Sequence, residues 1–407
     1  MKKRILFFPQ NNEHILNMNP VLEEMQKAGF TCDYLDTRAV YKQKLEFNTK
    51  YPLIKLPFPN LKNSFYHLSS IQRINYIRSV RKIIKSLAKE YDLFVFGNDG
   101  AIQRLLNYYA KKEDKPSVMI LDGLVGSNKY SYRDVLLFSK EKVKDVKIKA
   151  VESLKHFISK FFSGSSISPY MPSTIGSSNL NAIYTIGDFS KSYLEGHKHK
   201  ATEVFSYGLP RMREHFLNKD IFFIPKKPKS ICFITSAYKW HNLEHFHNSQ
   251  IQDILLIEEC IDEMFPDDDQ VKLYVKLHPR ECLEDYVLFK NSKRIQLVLR
   301  EPLVETFENY NVLFSNISTC IVEGVNKGIT VHSVLINFPY WKFKNGFLSD
   351  SSIQKVFTKK GLSSTIKKGL VKQKVSYNTV EDNVFLSEMT INSVEHISKS
   401  IIGLANY

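Results

Sequence analysis

The 407 residues are 43% hydrophobic and 24% charged, which favours two domains over one core and excludes a disordered chain or a small disulfide scaffold. A net charge of +15 draws the protein towards anionic partners without choosing among them. Cys32, Cys232, Cys260, Cys282 and Cys320 are scattered, with no CxxC or metal-ligand spacing, and read as reduced thiols of a cytoplasmic protein.

The apolar run after Met1-Lys-Lys-Arg is too short for a signal-peptide core, and no stretch reaches the roughly eighteen apolar residues of a membrane span. From there, short apolar runs alternate with segments at helical spacing, the rhythm of parallel sheets crossed by helices. Strands are predicted at 5–8, 32–35, 53–56, 93–96, 118–121 and 182–186, and helices at 20–28, 70–89, 101–111 and 189–195.

The stretch from Asp134 to Ser178 departs from this rhythm and reads as an insertion, Lys-rich and helical first, then rich in Ser, Gly and Pro. Val143, Val146, Ala150, Leu154, Phe157 and Phe161 follow steps of three and four, while Lys140, Lys142, Lys144, Lys147, Lys149, Lys155 and Lys160 fill much of the remainder. Such a helix either packs its apolar stripe on its own domain or lies on an anionic membrane surface, residues 140–162 then making the protein peripheral.

Tyr207-Gly-Leu-Pro-Arg-Met-Arg and Pro225-Lys-Lys-Pro-Lys read as a linker, after which the rhythm restarts. Strands follow at 231–234, 272–277, 295–299, 312–314 and 331–336, helices at 251–264 and 319–326, and a closing helix at 394–404. The expected architecture is α/β, with two Rossmann-like domains facing across a cleft. Their boundaries fall at 1–210 and 226–390, with 391–407 as the closing segment.

Ligands of open parallel sheets bind beyond the carboxyl ends of the strands, which selects few polar residues. Asn11, Asn12 and His14 follow the first strand, Asp99 sits in Asn98-Asp99-Gly100, and Asp122 precedes Gly123 and Gly126. Partial burial would raise the Asp122 carboxyl towards the range useful for deprotonating a hydroxyl, while Asp99 also suits a helix cap before Ala101. In the second half His278-Pro-Arg-Glu281 follows one strand and Ser315-Asn-Ile-Ser-Thr319 another. Ser318 or Asn316 can cap the helix opening at Thr319, whose start would seat a phosphate. His278 could donate to that phosphate, with Lys276 and Arg280 adding positive charge. The three His between Trp240 and His247 lack a carboxylate or Cys at helical spacing, Asp267-Asp-Asp269 reads as a solvated turn, and no P-loop or GxGxxG is present.

Lys276-Leu-His-Pro-Arg-Glu281, followed some forty residues later by Ser315-Asn-Ile-Ser-Thr-Cys-Ile-Val-Glu-Gly-Val-Asn-Lys-Gly328, resembles the His-Pro and Ser/Thr motifs of bacterial GT-B glycosyltransferases. The resemblance is to the sialyltransferase, polysialyltransferase and Kdo transferase group, and covers the second half. Tyr184-Thr-Ile-Gly-Asp-Phe-Ser-Lys191 and Tyr207-Gly-Leu-Pro-Arg211 resemble the approach to the interdomain linker of such enzymes. It implies a cytoplasmic, metal-independent, inverting transferase moving a sugar from a CMP-linked donor to a saccharide or glycolipid acceptor of a capsule or lipopolysaccharide, with no cofactor. By resemblance, an acid in the first domain is the general base, here Asp122. His278, Ser318 and Thr319 would hold the donor phosphate, with Ser315 in the same motif, and Glu323 the donor ribose. Glu323 equally suits a first-turn acid, and the Asn residues a turn. Two rivals remain: a CDP-alditol phosphotransferase of teichoic-acid type, with His14 as base, and a nucleic-acid binder. The Lys residues are dispersed outside the 140–160 helix, which argues against nucleic acid.

Overall fold

Two compact units divide the chain, one made of Met1–Ser127, Ser139–Leu217 and Ser387–Tyr407, the other of Asn128–Phe138 and Asn218–Leu386. The computed structural model describes every residue except 1, 43–44, 49, 124, 126–131, 140–141, 173, 213–221, 224, 240–242, 300, 327–328, 344–347, 349–352, 372–374, 377–391 and 407.

In the first unit seven strands form one parallel sheet: β1 (Arg4–Phe8), β2 (Thr31–Leu35), β3 (Leu53–Ile54), β4 (Leu93–Phe96), β5 (Ser117–Ile120), β6 (Ala182–Thr185) and β7 (Glu203–Ser206). Their order is β3-β2-β1-β4-β5-β6-β7. The central strands are near-continuous apolar runs because both faces are covered. Leu6, Phe8, Phe94 and Phe96 bury against α3 (Ser70–Glu90) and α4 (Ala101–Lys112), while Ile5, Phe7, Leu93 and Val95 bury with α1 (Asn12–Lys27) and with Ile397 and Ile401 of the closing helix, α12 (Ser393–Asn406). The order reverses between β1 and β4, so the loops after those strands flank the position where such sheets bind ligands.

Helix α1 begins eight residues before the predicted start at Pro20. Asn11 adopts extended backbone and its side chain accepts from the His14 N–H at 2.8 Å, which caps the helix early and leaves Pro20 inside it. The short α2 (Arg38–Tyr41), β7 and β14 (Lys355–Val356) have no counterpart among the predicted elements, and β3 ends two residues before its predicted bound.

Between β5 and β6 run α5 (Tyr132–Phe138) and α6 (Lys142–Phe161); Lys140 lies outside the described residues, and α7 (Asp188–Glu195) follows β6. The inward-packed reading of α6 does not hold. Its buried residues are Asp145 and Ser159, while Val143, Leu154, Phe157 and Phe161 are exposed.

The second unit repeats the architecture with β9 (Ser230–Ile234), β10 (Lys272–Lys276), β11 (Ile295–Val298), β12 (Val312–Ser315), β13 (Val331–Val334) and β14, all parallel, in the order β11-β10-β9-β12-β13-β14. Around this sheet lie α8 (Glu244–Met264), α9 (Leu303–Asn309), α10 (Thr319–Asn326) and α11 (Lys359–Val371). Ile254, Ile257 and Ile261 of α8 pack with Leu273, Val275 and Leu277, and Leu362 and Ile366 of α11 complete that face. The order reverses between β9 and β12. An antiparallel pair, β8 (Phe222–Phe223) with β15 (Val375–Ser376), stands apart from both sheets.

Candidate functional site

At the switch point of the first sheet, His14 Nε2 lies 3.0 Å from Asp122 Oδ2. The other ring nitrogen, Nδ1, accepts the Gln10 backbone N–H at 3.0 Å, so the ring proton sits on Nε2 and is donated to the carboxylate. Asn11 Nδ2 donates to the same oxygen at 2.9 Å. The His14 side chain is 1% exposed and that of Asp122 33%, so the carboxylate faces outward and the imidazole stands behind it.

Burial alone would raise the Asp122 carboxyl, but the His14 ring, the Asn11 amide and the Arg211 charge outweigh it and hold the group below the ordinary carboxylate range. The sequence expectation of a raised value is therefore corrected: the hydrogen-bond donors win over desolvation. Arg211 also clamps this corner, donating to the Asp122 carbonyl at 3.1 Å and pairing with Glu13 at 2.8 Å.

Gly97, directly after β4, gives the imidazole its room. A Cβ there would stand 2.4 Å from His14 Cγ and Nδ1.

Two other candidates in this unit serve the fold. Asp99 is 4% exposed and accepts from the Ser178 N–H at 3.1 Å and from the Ser178 hydroxyl, so it ties the 178 loop to the end of β4. It neither caps α4, whose N-cap is Gly100, nor offers a carboxylate to substrate. Asn12 accepts the Glu46 N–H at 2.9 Å through Oδ1 and so fixes a neighbouring loop.

In the second unit His278 follows β10, and its backbone N–H donates to Thr235 Oγ1 at 2.9 Å and Glu281 Oε2 at 3.0 Å. Glu281 is held in turn by Thr235 and by the Tyr286 hydroxyl at 2.6 Å, and Gln250 donates to that hydroxyl at 2.9 Å. Burial raises the Glu281 carboxyl against these hydrogen bonds. The turn from 278 to 281 closes through Glu281 N–H to the His278 carbonyl at 2.9 Å. Within it the Arg280 N–H donates to His278 Nδ1 at 3.2 Å, which leaves Nε2 as the protonated, donating nitrogen.

The start of α10 follows β12, which lies on the other side of β9 from β10. Ser318 Oγ accepts the Cys320 N–H at 3.3 Å and its carbonyl accepts from Ile321 at 3.1 Å, so Ser318 caps the helix and Thr319, half-buried, is its first residue. Ser315 is fully buried and its hydroxyl donates to the Ile234 carbonyl at 2.8 Å, which ties the end of β12 to β9 inside the sheet and corrects its placement among ligand-binding residues. Asn316, also fully buried, donates to Asp253 Oδ2 and the Val334 carbonyl, both at 2.7 Å, and does not cap α10. Lys276 is 7% exposed on the sheet face opposite Leu273, Val275 and Leu277, and its charge acts on the buried thiols of Cys232 and Cys320. Glu323 lies on α10, 8% exposed.

The sequence motifs omitted Gln10, Gly97, Arg211, Thr235 and Glu281 as site residues, although all adjoin strand ends or quoted motifs. Gly126, residues 240–242 and Gly328 lie outside the described residues. Among the described residues no group of three or more His, Cys, Asp or Glu gathers as a metal site, and no helix is long and apolar enough to cross a membrane.

No protein-family model and no curated protein sequence matches the chain. Solved structures do match its fold. UDP-GlcNAc 2-epimerase from Methanocaldococcus jannaschii, in complex with UDP-GlcNAc and UDP, superposes with a TM-score of 0.58 at 12% identity, over 98% of this chain and 99% of that one. The enzyme of the same name from Neisseria meningitidis, bound to UDP-GlcNAc, gives 0.54 at 11% identity over 98% and 100%. The glycotransferase of kitacinnamycin gives 0.50 at 10% identity over 100% and 96%. The chain therefore has the GT-B fold, as the sequence rhythm and the His-Pro resemblance implied.

Proposed function

We propose that this chain is a nucleotide-sugar enzyme of the glycosyltransferase class, moving a sugar from a CMP-linked donor such as a sialic acid or Kdo to a saccharide acceptor of a bacterial surface polysaccharide. The observation that carries this reading is the Asp122 carboxylate, ionised, partly exposed and aimed by two donors at a switch point. In this reading it takes the proton of an acceptor hydroxyl as the sugar is transferred, with inversion at the anomeric carbon; the donors keep it ionised and oriented, and make it a weaker base than the raised carboxyl expected from the sequence. The second unit supplies the complementary chemistry. His278 Nε2–H, the tip of α10 at Thr319 and the Lys276 ammonium would meet the charge growing on the departing phosphate without calling on a metal. Glu323 and Arg280 are the proposed contacts to the rest of the donor. The fold likeness to proteins solved with UDP-GlcNAc and UDP agrees with a nucleotide-sugar ligand.

A CDP-alditol phosphotransferase with His14 as base is disfavoured, because both His14 ring nitrogens are engaged and the side chain is buried. A second reading, epimerisation of a nucleotide sugar without an acceptor, is favoured by the TM-scores of the two epimerases. Incubation with CMP-, UDP-, GDP- and CDP-linked compounds, with and without a saccharide acceptor, separates these readings. Acceptor-dependent release of CMP is expected. Interconversion of UDP-GlcNAc without acceptor selects the epimerase, and preference for a CDP-alditol contradicts the transferase.

A further inference from the structure

Helix α6 is attached by its polar side. Asp145 accepts from the Ser139 hydroxyl at 2.6 Å, and Ser159 Oγ donates to Ser177 Oγ at 2.7 Å and accepts the Thr174 N–H at 3.0 Å. The His156 ring packs edge-on against His197 at 4.2 Å, and His197 stacks on Tyr193 of α7 at the same distance. The opposite side is apolar and bare: Val143 is 72% exposed, Leu154 57%, Phe157 67% and Phe161 71%. Soluble helices bury such a stripe, so this arrangement is inverted relative to the ordinary one.

The charges around the stripe identify what would cover it. With about 100° between successive residues, Val143, Ala150, Leu154, Phe157 and Phe161 fall in one narrow band. Exposed Lys144 and Lys155 lie along one flank, with Lys147 at the edge of the band on that side, and exposed Lys142 and Lys160 lie along the other. Both acids of the helix lie on the far side, Asp145 buried and Glu152 exposed there. An apolar band between two rows of lysines matches the acyl boundary and anionic headgroups of a bilayer, with the long Lys stems reaching back to phosphate.

We propose that α6 docks the protein on an anionic lipid surface, its apolar band entering the interface while the flanking lysines contact lipid phosphates. This inference rests on α6 alone and stands independently of the reaction proposed above. The test is flotation of the full chain with vesicles of phosphatidylcholine alone or with one third phosphatidylglycerol. The protein is expected to float with the anionic vesicles at least tenfold better than with the neutral ones. Phe157→Ser with Phe161→Ser should reduce that binding at least tenfold while leaving thermal unfolding unchanged, since both side chains are exposed. Failure to float with anionic vesicles overturns the proposal. So does equal flotation of the double variant, which would reduce the effect to the general +15 charge. A lipid-free dimer that dissociates in the double variant also overturns it, by making a second copy the occupant of the face.

Discussion

His14 and Asp122 meet through a single hydrogen bond of 3.0 Å, and the direction of that bond assigns their roles. Because Gln10 N–H occupies Nδ1, the imidazole can only donate to the carboxylate, so in the proposed reaction His14 is a positioning residue and Asp122 the group that would receive the acceptor proton.

That assignment predicts a pH signature. Donors hold the Asp122 carboxyl below its ordinary range, so wild-type turnover should show no acid limb from this group between pH 5 and 7. In His14→Ala burial is opposed by fewer donors, the carboxyl rises, and an acid limb should move up into the measured range. A pH profile that His14→Ala merely scales, without changing shape, contradicts the positioning role. The same linkage bears on stability: a depressed carboxyl contributes above its unfolded value, and that contribution is lost as pH falls through the folded value.

Gly97→Ala should displace the His14 ring, because the added Cβ would lie 2.4 Å from it and both partners are packed. Overpacking of this kind costs about 1–3 kcal/mol, readable as a lower midpoint in chemical denaturation. Turnover should fall as well, with nucleotide binding to the second unit unaffected. A variant with wild-type stability and rate contradicts the close approach.

Asp253 provides a pH test in the other unit. Fully buried on α8, it accepts from Asn316 at 2.7 Å and from the Asn337 N–H and side-chain amide at 3.0 Å each, yet burial raises its carboxyl to about 6. The folded state therefore binds more protons than the unfolded chain between about pH 4 and 6. Asp253 should make stability fall as pH rises through that window, by about 3 kcal/mol at order of magnitude, and no further above it. Urea titrations of wild type and Asp253→Asn check this: the difference between the two should change across pH 4 to 6, and a constant difference contradicts it.

Much of this fold was legible in the sequence because buried parallel strands must be continuous apolar runs. Leu93-Phe-Val-Phe96 and Ile231-Cys-Phe-Ile234 announce themselves in that way, and the turn residues after such strands point to the ligand edge. What escaped was set by contacts between segments distant in sequence. The sequence favours Asp122 over Asp99 but suggests a helix cap for Asp99, and only the approach of Ser178, 79 residues away, shows what holds it, while His14 and Asn11 orient Asp122. Ser315 likewise looked like a ligand until the Ile234 carbonyl claimed its hydroxyl. The stripe on α6 was visible from spacing alone. Its direction was not, because periodicity gives a face without saying which side meets the protein.

The acceptor-dependent turnover of Asp122→Asn tests the central claim most directly. The asparagine keeps the shape and removes the charge, so sugar transfer at saturating donor should fall about 10²- to 10⁴-fold, with donor affinity retained. Transfer within a factor of two of wild type would show that another group takes the acceptor proton and would contradict the account.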